Sequence, residues 1–174
     1  KKQEILQVHP HLNTNTPVVF VNLLSGKGTS WRTSPDIWLR ALLTMLKEFD
    51  GYILINEGPG KGAEIPRGDE TWAETFTKLK AGELGELEAY EKNVLLFLSA
   101  LYGDLDDAQK EQFEQKVSSV GNNGILRLLG AMKLSDVIVT EHSGVSILAE
   151  AMGRDSVEFS NAIFSQYAQH KENV

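Results

Sequence analysis

Thr140-Glu141-His142-Ser143-Gly144 joins an apolar stretch, Asp136 to Val139, to a segment of helical spacing, Val145 to Gly153. The pattern predicts a strand, a tight turn and a helix N-terminus. Backbone N–H groups there lack partners within their own helix and sit at the positive end of its dipole, and Gly144 has no Cβ to keep an anion away. A phosphate suits such a place. The predicted contacts are Glu141, His142, Ser143 and Gly144, with His142 as a donor to a phosphate or sugar hydroxyl. Glu150 follows Ser143 by seven residues, on the same helix face and about 10 Å further along at roughly 1.5 Å per residue. That is about the span from a diphosphate to the ribose hydroxyls of one nucleotide. The alternative is a plain strand–helix corner with Glu150 solvated.

A second cluster lies in Leu24 to Ser34, where Ser25, Gly26, Lys27, Gly28, Thr29, Ser30 and Arg32 supply glycines, hydroxyls and two cations. At the same sheet edge as Ser143 and Gly144, this loop can wrap the other side of a diphosphate. Lys27 or Arg32 would then counter charge, with Thr29 or Ser30 donating hydrogen bonds. The competing reading is a solvated surface loop. Glu57-Gly58-Pro59-Gly60-Lys61-Gly62 is a further loop expected at that edge, able to touch a base or sugar.

Other chemistries fit poorly. A nucleotide-kinase phosphate loop, G-x-x-x-x-G-K-[ST], needs glycine where Val21 stands and a hydroxyl where Gly28 stands. Histidines 9, 11, 142 and 170 have no metal-site spacing, so no metal is expected. Asp104, Asp106 and Asp107 lack the glycine and closing Glu of a calcium loop, and no G-x-S-x-G is present for a serine nucleophile. No catalytic residue is assigned.

These residues need positioning elements. Val18 to Leu23 is an almost unbroken apolar run, as in a strand buried on both faces of a parallel sheet. Ser34-Pro35 starts a helix to about Asp50, and Tyr52 to Asn56 reads as a second strand. Helices are expected over 70–80, Leu84 to Tyr102 and Asp107 to Lys116, although Asn93 to Leu98 also has a strand-like composition. A short strand at 117–120, a helix from Ile125 to Lys133, a strand from Asp136 to Thr140 and a helix from Gly144 to Met152 come next. Ser156 to Phe159 and Ala162 to His170 supply a last strand and helix. Strands alternating with helices predict a single α/β Rossmann-like domain, a doubly wound parallel sheet with its ligand at the carboxyl ends of the strands. Residues 1–16 read as a linker or lead-in, 17–174 as the domain, and about 81–116 as a helical insertion.

The 174 residues are 41% hydrophobic, enough for a sizeable core, and carry a formal charge of -7. An acidic chain with dispersed cations opposes attraction to nucleic acid, and no apolar run approaches the roughly 18 residues of a membrane span. The absence of cysteine excludes a disulfide framework and suits a reducing, cytoplasmic setting.

Three stretches resemble the C-terminal, nucleotide-sugar-binding half of GT-B glycosyltransferases, most closely the lipopolysaccharide heptosyltransferases. Val18 to Trp38 resembles their opening strand, Ser/Gly/Lys loop and helix start. Ile53 to Gly60 resembles their second strand and Gly-Pro turn. Gly124 to Gly153 resembles their segment A-D-L-V-V-T-N-D-S-G-P-M-H-L-A-A-A-L-G. His142 stands where that family has Asp, and Ile147 where it has His. The spacing S-G-x-x-x-x-x-E from Ser143 to Glu150 is instead similar to the peptidoglycan N-acetylglucosaminyltransferase, whose Glu binds the nucleotide ribose.

The resemblance implies a donor-binding domain of a glycosyltransferase, with a nucleotide-sugar as substrate, no separate cofactor and no divalent metal. Ser143 and Gly144 would hold the donor diphosphate, opposite Lys27, Thr29 and Ser30. A carbohydrate or lipid-linked acceptor would be bound by an N-terminal domain outside this chain, which would also bring a cytoplasmic protein to the inner membrane. The alternative function is a non-catalytic nucleotide- or sugar-binding module or scaffold, with the phosphate-loop kinase behind it.

Overall fold

The computed structural model describes residues 15–24, 33–56, 70–120 and 124–159. Strand β1 (Val18–Asn22) is buried along its whole length. Helix α1 (Pro35–Glu48) starts at Ser34, whose hydroxyl accepts the Asp36 N–H (3.3 Å), and buries Trp38, Leu42 and Leu46, four residues apart on one face. After strand β2 (Tyr52–Ile55), helix α2 (Trp72–Ala81) is capped by a reciprocal Thr71–Glu74 box and stopped by Gly82 in the left-handed region (φ 73). Gly85 (φ 81) repeats that conformation, so the next helix, α3 (Ala89–Asp104), begins at Ala89 and not at the expected Leu84. The strand-like stretch Asn93 to Leu98 lies inside it. Helix α4 (Asp107–Lys116) follows its own capping box at Asp106, and leads directly into strand β3 (Val117–Ser119).

Helix α5 (Ile125–Leu134), strand β4 (Val137–Glu141), helix α6 (Gly144–Ala151) and strand β5 (Asp155–Phe159) complete the described chain. Asp136 lies just outside β4. Its carboxylate accepts the Val18 N–H (2.8 Å), fixing the start of β1 instead of extending β4. Residues 1–14 of the expected lead-in over 1–16, the Glu57 to Gly62 loop and the last helix, Ala162 to His170, lie outside the described residues.

The sheet order is β3-β2-β1-β4-β5, and every neighbouring pair is parallel. It is the Rossmann-like α/β sheet that the alternation predicts. Helices α1 to α4 cover one face, where Val19, Val21, Trp38, Trp72, Phe76 and Phe113 are buried together. Helices α5 and α6 cover the other, over Phe20, Leu54, Ile138, Met132 and Ala149. Chain order reverses between β1 and β4, so the crevice at their carboxyl ends is the place where such a sheet receives a ligand. No described helix is long and apolar enough to cross a membrane.

Candidate functional site

Asn22 ends β1 and Thr140 stands next to the end of β4, paired across the ladder and both buried. Asn22 Nδ2 donates to Thr140 Oγ1 (3.1 Å) and to Leu24 O (3.0 Å). Its Oδ1 accepts from Asn56 Nδ2 (2.7 Å), just past β2. The Tyr90 hydroxyl, from the first turn of α3, lies 2.7 Å from Leu24 O and 3.0 Å from Asn22 Oδ1. The edge of three strands is thus closed by neutral polar groups that satisfy one another.

Ser143 caps α6. Its Oγ accepts the Val145 N–H (3.2 Å), while Ser146 Oγ accepts the Ser143 N–H (3.2 Å) and donates to Ser143 O (2.8 Å). The Thr140 hydroxyl donates to Glu141 O (2.9 Å), which leaves the Ser143 hydroxyl as the donor across the 3.4 Å gap to Thr140. That contact is long enough to be exchanged for a ligand oxygen at little cost. The Gly144 N–H has no partner among the described residues, and a Cβ built on Gly144 meets nothing within 4 Å.

The flanking residues of the predicted turn have other engagements. Glu141 is fully buried. Its Oε1 accepts the Thr33 N–H (2.7 Å) and the Trp38 Nε1–H (3.4 Å), and its Oε2 has no hydrogen-bond partner among the described residues. The carboxylate therefore holds the chain entering α1 against the end of β4, where Trp38 also meets Phe159 edge-on at 4.8 Å. His142 pairs through Nδ1 with Glu158 Oε1 (2.7 Å) across β4 and β5. Glu150 is exposed on α6, as is Ile147, on the helix that carries the capped end. Among the described residues no group of three His, Asp or Glu side chains gathers that could hold a metal ion.

Ser25, Gly26, Lys27, Thr29, Ser30 and Arg32 lie outside the described residues. The two ends of their segment do not: Leu24 is bonded to Asn22 and Tyr90, and Thr33 to Glu141, at the same crevice. Sequence reasoning overlooks Asn22, Asn56, Tyr90 and the Glu141–Thr33 bond. A signal for the first two is present, because Asn56 closes the apolar run Tyr52 to Ile55 and Asn22 is the one polar residue inside the run Val18 to Leu24. Set against known proteins, the chain matches no family model, no curated protein and no solved structure.

Proposed function

We propose that this chain is the donor-binding domain of a glycosyltransferase, which holds the diphosphate of a nucleotide-sugar at the N-terminus of α6. The observation that carries the reading is the Gly144 N–H, which among the described residues has no partner and no atom close to where a Cβ would stand, at the point where the parallel sheet reverses its order. The Ser143 hydroxyl can turn from Thr140 to a phosphate oxygen while still accepting the Val145 N–H. Glu141, His142 and Glu158 bring two carboxylates and one imidazole to this edge, so the charge of a diphosphate must be met by Lys27 and Arg32, whose segment begins and ends there. In the transfer, an acceptor hydroxyl attacks the anomeric carbon and the nucleoside diphosphate departs with inversion. Helix N–H groups and Lys27 stabilise the departing charge in place of a metal ion.

Calorimetry with UDP, ADP and GDP, each with and without Mg²⁺, tests the reading. Metal-independent binding of at least one is expected. Binding of none would favour a scaffold, and ATP binding that strictly requires Mg²⁺ would favour a kinase.

A further inference from the structure

Helices α2 to α4 are inserted between two neighbouring strands on one face of the sheet, yet one of their side chains ends at the crevice between β1 and β4. Tyr90 is buried, and its single hydroxyl proton is shared between Leu24 O and Asn22 Oδ1 (2.7 and 3.0 Å). The other end of the same carboxamide donates to Thr140 Oγ1 (3.1 Å), and Thr140 Oγ1 faces the Ser143 hydroxyl at 3.4 Å. Four side chains thus form one continuous file from α3 to the cap of α6. The carboxamide of Asn22 gives this file a direction, since its oxygen faces two donors and its nitrogen two acceptors. Burial, and secondarily the charge of Glu141, push the Tyr90 phenol well above the ordinary tyrosine range, so it remains a donor.

We propose that Tyr90 is a positioning residue for the α6 N-terminus, acting through Asn22 and Thr140 on the hydroxyl of Ser143, so that the inserted helices set the affinity of the site for its anionic ligand. Only the clause about affinity rests on the proposed function. Without the phenol, Asn22 Oδ1 keeps Asn56 as its one donor, and the carboxamide is freer to turn. Thr140 then loses a fixed donor, and the Ser143 rotamer is no longer biased.

The test is Tyr90→Phe in the full chain, followed by amide NMR and by UDP, ADP and GDP calorimetry. The Gly144 and Val145 amides are expected to shift and to exchange faster, and affinity for the bound nucleotide to fall about fivefold or more. Tyr102→Phe, on the same helix but bonded to Glu114, serves as control and leaves both amides in place. Thr140→Val cuts the file at its next link and covers the case in which Tyr90→Phe does not fold. It must move the same two amides, and its effect on affinity must not add to that of Tyr90→Phe. Unmoved Gly144 and Val145 amides in a folded Tyr90→Phe or Thr140→Val protein, or fully additive losses of affinity, overturn the proposal. Wild-type protein that binds none of the three nucleotides removes the proposed function, while the amide shifts still decide the role of Tyr90.

Discussion

Gly144 occupies a position where neither backbone nor packing asks for glycine. It is absent from the glycines of positive φ, and an added Cβ would meet open space. Glycine in a helix is unfavourable by up to about 1 kcal/mol relative to alanine, so its presence at the first position of α6 points to what approaches from outside. Gly144→Val is therefore expected to keep the melting temperature while nearly abolishing nucleoside diphosphate binding. A lower melting temperature with binding intact would assign the glycine to folding. Glu150→Ala separates sugar from phosphate recognition: nucleoside diphosphate affinity should fall roughly tenfold to hundredfold, and inorganic diphosphate binding should not change. Equal losses on both ligands would sink the ribose assignment. Ser143 and Gly144 are conspicuous in sequence because a hydroxyl followed by glycine, set between a strand and a helix, both caps the helix and leaves room at its end. Glu141 is not, since nothing local shows that its carboxylate turns inward to Thr33, a bond spanning 108 positions of chain.

The elements themselves are legible, because each carries its own local signals. Ser34-Pro35, the Thr71–Glu74 box and the Asp106–Gln109 box mark three helix starts, and the apolar runs mark three of the five strands. The boundary at Leu84 is misleading, because apolar spacing over 84–88 outweighs two glycines whose left-handed conformation delays α3 until Ala89. How elements hold one another is less legible. Helix α4 is largely polar, yet it fastens two others: Glu114 accepts the Trp72 and Ala73 N–H groups at the start of α2 (2.8 and 3.0 Å), and Lys116 donates to Leu46 O and Phe49 O at the end of α1 (3.2 and 2.9 Å). Nothing local in the sequence sets these two charges apart from the others on this polar helix. Glu114→Ala is expected to lower stability by about 1–2 kcal/mol in urea unfolding. It should also let the Tyr102 phenol, now pushed up to about 12 by burial and by its bond to Glu114, titrate lower in an ultraviolet titration, though still above 10.0 because burial remains. An unchanged Tyr102 titration would mean that the Glu114 bond is not formed in solution.

At the scale of the whole molecule, the order β3-β2-β1-β4-β5 puts β1 at the centre and gathers the ends of β2, β1 and β4 into one polar edge. Alternating strands and helices imply a parallel sheet. They do not show that Tyr90, in an insertion 68 positions from Asn22, reaches that edge. Two tyrosines of this insertion also contribute to the pH dependence of stability in alkali. Tyr90 and Tyr102 both hold their protons above the ordinary tyrosine value of 10.0, mainly through burial. Above that value the unfolded chain releases phenolic protons that the native state retains, so the stability they contribute is complete below pH 10 and is lost as pH rises toward 12 and beyond. Lys78, raised by Glu70, acts in the same direction, but its exposed ammonium is screened and adds little. The formal charge of -7 at pH 7 grows more negative over the same interval as lysines discharge, and self-repulsion adds to the loss. Tyr102→Phe distinguishes the contributions, since it leaves the charge below pH 10 untouched and removes one retained proton. Urea midpoints measured from pH 9 to 12 should fall less steeply in the variant than in the wild type. Parallel curves would leave self-repulsion, with the fully buried Tyr90, as the source of the alkaline instability.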